Sequence, residues 1–351
     1  MTGPTRIAVC EDSRTYVHAL SKLLQADGDI EVVGRFGSAE DLLAALPSLQ
    51  ADLVTMDLEL PGLDGVAATR RIMADRPLPV VVLSSHTGRG SEQAAEALAA
   101  GAVDVLHKGD VTLRDVGGPD GAALRRRMRR LSRLRVAAPP RATARARGPR
   151  GAVVRGGAAA GARAIGIVAS TGGPSALRGV LSALPAGFDV PVLVVQHMTA
   201  GFTDGLGRWL DAQVAAPVRL AVDGAPLAPG VWLAPDHADL IVDAKGRLRL
   251  DQRPSAARHP HRPSGDALFS SMATVLGARA LAVVLTGMGS DGADGVRDIV
   301  AAGGSVVVQT GATCAVPGMP RAALEAGAQS ELDLDDIGPA LARVPAWRSH
   351  P

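Results

Sequence analysis

The chain has 351 residues, 47% of them apolar and only 2% aromatic, with a formal net charge of +2. That length suggests two or three domains with cores of Ala, Val and Leu, as in layered α/β proteins, and the small net charge argues against a general nucleic-acid binder. No run of roughly eighteen apolar residues occurs, and Cys10 and Cys314 are too distant in sequence to suggest a disulfide framework. The expectation is a cytoplasmic protein with no signal peptide, no membrane insertion and two small core thiols.

Arg6–Cys10 reads as a strand ending at Glu11-Asp12, and Val17, Leu20, Leu23 and Leu24 follow at helical spacing. Ile30–Gly34 is a second strand and Ala39–Leu46 a helix. Asp52–Met56 is a third strand, ending at Asp57; Pro79–Leu83 a fourth, ending at Ser84-Ser85; Val103–Leu106 a fifth, ending at His107-Lys108. Strands alternating with helices imply a parallel sheet covered on both faces, whose strand ends share one crevice.

That crevice would gather the carboxylates Glu11, Asp12 and Asp57, the Ser84 hydroxyl and the Lys108 ammonium. Three carboxylates repel one another, and a hard dication such as Mg2+ would neutralise them. A phosphoryl group accepted by Asp57 would then be held by the metal, Ser84 and Lys108. Each residue alone also suits a helix cap or a surface ion pair; five together point to phosphorylation chemistry.

With the segment Asp57-Leu58-Glu59-Leu60-Pro61-Gly62-Leu63-Asp64-Gly65, these residues resemble the response-regulator receiver family over about residues 5 to 120. The resemblance implies a flavodoxin-like (βα)5 domain phosphorylated at Asp57 by a histidine kinase, with the Glu59 backbone carbonyl joining Glu11, Asp12 and Asp57 at Mg2+. Two positions depart from it. Gly109 stands where the family usually has proline after the lysine, and Val105 stands at its aromatic switch position.

No Asp or Glu occurs from Gly121 to Phe188, while Arg residues cluster there. Leu124, Met128, Leu131 and Leu134 extend the last receiver helix, with Arg125–Arg127, Arg129 and Arg130 expected on its exposed sides. Pro139-Pro140 and residues 141–161 lack large apolar side chains and read as a solvated linker. The competing reading, a basic segment contacting nucleic acid, lacks interleaved aromatics and a helix-turn-helix pattern. Domain limits of 1–123 (receiver), 124–161 (linker) and 162–346 (output domain) follow.

From Arg163 the alternation resumes. Ala164–Ala169 is a strand entering Ser170-Thr171-Gly172-Gly173-Pro174, with a helix from Ser175 to Leu184. This turn suits either a phosphate loop, a structural glycine turn, or a nucleophile whose oxyanion is met by backbone N–H groups. Pro191–Gln196 is a strand ending at His197, followed by a helix over Phe202–Val214. Val218–Val222, Gly230–Ala234, Leu240–Asp243 and Leu248–Asp251 read as hairpin strands added to the main sheet. Ser264–Leu276 is a helix, Ala280–Leu285 a buried strand, and Asp294–Ala302 a helix. Ser305–Gln309 and Pro317–Ala326 form a last strand–helix unit. The fold expected is a doubly wound, mostly parallel α/β domain with an antiparallel hairpin.

Ser170, His197 and Asp291 would meet at one edge of this sheet, the groups needed for nucleophilic acyl transfer. Singly, His197 suits a loop and Asp291 a helix N-cap; with Ser170 they suggest a triad, with N–H groups near Thr171 and Met288 for the oxyanion. Val168–Pro174, Val195–Met198 and Leu285–Gly292 resemble three blocks of the chemotaxis protein-glutamate methylesterase domain, over about residues 163 to 345. Ala234-Pro235 and Arg262-Pro263-Ser264 resemble further family segments. Asp239 departs, standing where a histidine is frequent, a change expected to touch peripheral binding and not the triad. The resemblance implies demethylation of chemoreceptor glutamyl esters, some deamidation of glutamines, no cofactor in the esterase site, and control by the receiver, which would cover the crevice until phosphorylated. A DNA-binding output finds no basic recognition helix after Arg163; an adaptor with this fold and little esterase activity is the remaining alternative.

Overall fold

The computed structural model describes residues 3–85, 89–111, 116–134, 136, 154, 155, 157, 161–253 and 261–346. It divides into two compact units, Met1–Ala142 and Thr143–Pro351. Most of the expected linker, 124–161, lies outside the described residues.

In the first unit, β1 (Thr5–Cys10), β2 (Ile30–Phe36), β3 (Leu53–Asp57), β4 (Val80–Ser84) and β5 (Asp104–His107) form a parallel sheet ordered β2-β1-β3-β4-β5. This is the flavodoxin-like order, whose ligand crevice opens at the carboxyl ends of β1 and β3. The residues of β3 and β4 are buried throughout, as expected of strands covered on both faces. The apolar periodicity around Leu124 continues the unit's last helix, α5 (Pro119–Ser132), with Met128 and Leu131 buried.

Arg125 corrects the sequence reading. It is buried, not exposed: Nε meets Asp27 Oδ2 at 2.6 Å, and Nη1 donates to the carbonyls of Leu23 (3.1 Å) and Val116 (2.9 Å). Arg127 and Arg129 are likewise held, by Asp104 and by Asp27 and Asp29. A guanidinium with several acceptors can be buried where an unpaired one cannot.

In the second unit, β6 (Ala164–Ala169), β7 (Val192–Gln196), β8 (Val218–Leu220), β9 (Val231–Leu233), β12 (Ala280–Val284), β13 (Ser305–Gln309) and β14 (Ser330–Leu332) form one parallel sheet, ordered β14-β13-β12-β6-β7-β9-β8. Of the four short strands expected as hairpins, β8 and β9 instead join this sheet in parallel. Only β10 (Asp239–Val242) and β11 (Leu248–Asp251) pair antiparallel, as a separate two-stranded sheet. The chain leaves β6 toward β7 and later returns on its other side at β12. That reversal opens a crevice at the carboxyl ends of the central strands. Phe269 and Met272 of helix α8 (Gly265–Leu276), with Met319 and Ile299, supply bulk to a core otherwise made of Ala, Val and Leu.

Candidate active site

Three neighbouring strands bring Ser170, His197 and Asp291 to one edge of the sheet. Ser170 follows β6 directly, His197 follows β7, and Asp291 comes after the loop 285–290 that leaves β12. The His197 N–H bonds the Ala169 carbonyl (2.9 Å) and the Ser170 N–H the Thr286 carbonyl (3.0 Å), so sheet pairing runs on into the site. A Cβ built on Gly287 would stand 2.8 Å from Ser170 Cβ; the turn after β12 therefore presses against the serine, and only glycine fits.

His197 Nε2 lies 2.7 Å from Asp291 Oδ2. With Nε2 beside the carboxylate, a proton taken from the serine would fall to Nδ1. Asp291 is buried yet well supplied with donors, accepting from Gly265 N–H (2.6 Å), Asp266 N–H (3.2 Å) and the Ser264 hydroxyl (3.1 Å). Ser264 is the N-cap of α8, so the carboxylate lies against the positive end of a twelve-residue helix. Burial alone would raise its pKa; His197 and these donors more than offset that and hold it well below the usual carboxylate range. The helix capped by Asp291 is thus α8, while its own neighbour Gly292 caps α9 (Ala293–Ala301) in a left-handed conformation. Asp266, next along α8, is raised, first by burial and then by the charge of Asp291.

Asp239 proves closer to the triad than expected. Its Oδ1 accepts the Ser264 N–H at 2.8 Å, and so steadies the residue whose hydroxyl holds Asp291. Two further residues have no role assigned from the sequence. Gln196 at the end of β7 lies between Ser170 and His197, and the His261 ring stacks on His197 with centroids 4.8 Å apart.

The bonds that shape the two candidate oxyanion turns run from Ser170 N–H to Thr286 O, Gly173 N–H to Ser170 O, Gly287 N–H to Val316 O and Met319 N–H to Gly287 O. The Thr171 and Met288 N–H groups take part in none of these. Gly172 has φ +78°, and Gly173 begins α6 (Gly173–Leu181) with no room for a Cβ against the Gln196 amide. Each glycine of the pair thus has its own reason.

In the first unit, Glu11, Asp12 and Asp57 place carboxylate oxygens within 4.8 Å of one another, the grouping expected of a divalent-cation site. Lys108 Nζ lies 2.6 Å from Glu11 Oε2 and 2.8 Å from Asp57 Oδ2. Burial, which outweighs the nearby ammonium, raises Glu11, while the two carboxylates outweigh burial and raise Lys108. Three carboxylates, two of them buried, gathered around a single ammonium fit a dication. Ser84, at the end of β4, is buried beside it in the sheet. A Cβ on Gly109 would stand 2.8 Å from the His107 ring, and His107 Nε2 reaches the Ser85 carbonyl at 3.2 Å. The glycine that replaces the usual proline therefore accommodates this ring. Val105 is buried.

The two sheets and their strand-end residues define a response regulator with an enzymatic α/β output domain. The response regulator receiver domain model matches residues 7–115 and the CheB methylesterase model residues 165–341. Protein-glutamate methylesterase/protein-glutamine glutaminase 3 of Anaeromyxobacter dehalogenans is 41% identical over 346 residues, 96% of this chain and 98% of that protein. The corresponding protein of Symbiobacterium thermophilum is 40% identical over 353 residues, 97% of each. The crystal structure of the Thermotoga maritima CheB methylesterase catalytic domain is similar at 35% identity, covering 52% of this chain and 97% of that one with a TM-score of 0.49. The chain belongs to the CheB methylesterase family and carries a response regulator receiver domain ahead of its catalytic domain.

Proposed function

We propose that the protein is a phosphorylation-regulated protein-glutamate methylesterase and protein-glutamine glutaminase of the cytoplasm, acting on methyl-accepting chemoreceptors through Ser170, His197 and Asp291. The observation that carries this reading is the 2.7 Å pair of His197 and Asp291 at the strand end beside Ser170. His197 Nδ1 takes the Ser170 proton as Oγ attacks the glutamyl ester carbonyl. N–H groups of Thr171 and Met288 receive the oxyanion; one such donor is worth about 3–4 kcal/mol in the transition state. His197 returns the proton to the leaving methanol, or to ammonia when the substrate is glutamine. It then activates water, which cleaves the acyl-enzyme and frees glutamate and Ser170. Asp291 holds the ring and its positive charge throughout. No cofactor enters these steps.

In the receiver, Asp57 accepts a phosphoryl group from a chemotaxis histidine kinase. Glu11, Asp12, Asp57 and the Glu59 carbonyl would hold Mg2+, which neutralises phosphoryl charge when bound. Lys108 gives up part of its ion pairing to meet the phosphoryl oxygens, and Ser84 donates its hydroxyl. Phosphorylation adds about −1.5 to −2 charges and relieves the receiver's restraint on the catalytic domain, here taken as residues 162–346. Among the described residues no helix is long and apolar enough to cross a membrane.

Methanol release from methylated receptor membranes tests the reading. Ser170→Ala should abolish release while both units stay folded, and Asp57→Asn should incorporate no phosphoryl group from a small-molecule donor with Mg2+. A Ser170→Ala variant that retains most turnover overturns the nucleophile assignment.

A further inference from the structure

Gln196 is the only amide or charged residue of β7 and is 3% exposed. A glutamine placed there merely to fill space would be a poor choice against methionine or leucine, because its polar atoms lose water. Its amide is instead put to a particular use. Nε2 donates to the Ser170 carbonyl at 2.9 Å and to the His197 carbonyl at 2.8 Å, and so spends both N–H bonds on the two residues that must exchange a proton. The orientation is fixed, since turning the amide over would aim Oε1 at two carbonyl oxygens. Oε1 itself is buried without a hydrogen-bond partner and packs where a Cβ on Gly173 would otherwise go. An unpaired carbonyl oxygen is a cost that the two bonds made by Nε2 offset.

Beside this bridge, the turns carrying Ser170 and His197 are joined through β6–β7 pairing, whose last bond in this direction is His197 N–H to Ala169 O. Ser170 already points its carbonyl at Gly173 N–H (2.7 Å) to open α6. The glutamine captures the same oxygen from the other side, and so ties the start of α6 to the start of the histidine loop.

We propose that Gln196 is a positioning residue for the esterase reaction: it sets the separation and orientation of Ser170 and His197 for proton transfer, and touches no substrate. The proposal rests on the reading of Ser170 and His197 as nucleophile and base. Displacements on the order of 1 Å in such a pair can cost about a hundredfold in rate.

The test uses the full chain and methylated receptor membranes, with Gln196→Met, Gln196→Glu and Ser170→Ala measured in parallel and rates expressed per folded molecule. Gln196→Met keeps the bulk and loses both donors; kcat should fall about ten- to hundredfold with KM within about twofold. Gln196→Glu at high pH presents a carboxylate to two carbonyl oxygens, and on protonation regains one donor. Its kcat relative to wild type should therefore rise as pH falls. The titratable groups facing this position are His197, its partner Asp291 and the stacked His261; Gln196→Met carries the same three and serves as their control. The Gln196→Met ratio should stay flat with pH. A residue that merely supports the fold would change the folded fraction and leave both ratios flat near one. Gln196→Met at wild-type kcat, with Ser170→Ala inactive, overturns the proposal while leaving the triad intact. Should Gln196→Met not fold, a pH-independent Gln196→Glu ratio overturns it equally. Substantial turnover by Ser170→Ala removes the triad reading, and the Gln196 proposal with it.

Discussion

His261 lies parallel to His197, with ring centroids 4.8 Å apart and 20° between the planes. The imidazole that would act as general base is thus held on an edge by Asp291 and on a face by a second ring. Stacking restricts the ring to the plane in which Nε2 meets the carboxylate.

Replacing His261 by alanine frees that face. Aromatic pairs are worth about 0.5–1.5 kcal/mol, so kcat should drop roughly two- to tenfold. His261→Phe, which keeps the stacking surface and loses the ring nitrogens, should retain most of the rate. Methanol release by the two variants checks this; equal losses would mean that the nitrogens, not the stacking, matter.

Asp291→Asn should lower kcat by about 10^4, as expected when the histidine tautomer is no longer enforced. It also has a signature in stability. Although burial pushes the carboxyl up, His197 and the α8 donors leave it well below the ordinary range. An acid with a depressed folded pKa contributes stability above its unfolded value of about 3.9 and loses it as pH falls through the folded value. The stability gap between wild type and Asp291→Asn should be widest near neutrality and should narrow on acidification below about pH 4. Urea unfolding at several pH values measures it; a gap that widens in acid contradicts the sign.

Gly173→Ala drives a Cβ into the Gln196 amide. Overpacking of this kind costs about 1–3 kcal/mol. Gln196→Ala opens the space, so the double variant should be less destabilised than the sum of the two single changes, by at least about 0.5 kcal/mol. Additivity within error would show that the two residues do not press on one another.

Arg125→Met keeps the aliphatic stem and removes the donors to Leu23 and Val116. Two carbonyls then lose a charged partner, and the receiver should be less stable by about 2 kcal/mol. Tyr16 is the chain's only tyrosine and belongs to the first unit, whereas Trp209, Trp232 and Trp347 all belong to the second. Thermal unfolding followed by tyrosine circular dichroism should move to lower temperature, and the tryptophan signal should not.

Where the chain alternates apolar runs with polar punctuation, strand ends could be read directly. The pattern places Ala164–Ala169 and Ser305–Gln309 to the residue, and Ser170, His197, Asp291 and Asp57 lie at or just beyond the strand ends it points to. What escaped the reading depends on distance across the fold. Arg125 looks exposed in a basic helix because its partner Asp27 is 98 residues away. The tie from Ser264 to Asp291 joins a helix start to a loop 27 residues on, and spacing gives no hint that the cap of one helix is also a support for the triad. Asp239 reads as peripheral for the same reason, its bond to Ser264 spanning 25 residues. Nor do short strands such as β8 and β9 declare their partners: Val-Arg-Leu and Val-Trp-Leu suit a hairpin and a parallel edge equally well.

The three candidate catalytic residues hang from β12, β6 and β7, which are consecutive and central in a seven-stranded sheet. Central strands open to solvent exchange only with the whole cooperative unit, whereas edges such as β8 and β14 fray at lower free energy. Amide hydrogens on β6 and β7 should therefore be among the last in this unit to exchange for deuterium. In denaturant, esterase activity should persist through any loosening of the rim and vanish together with the slowest amides.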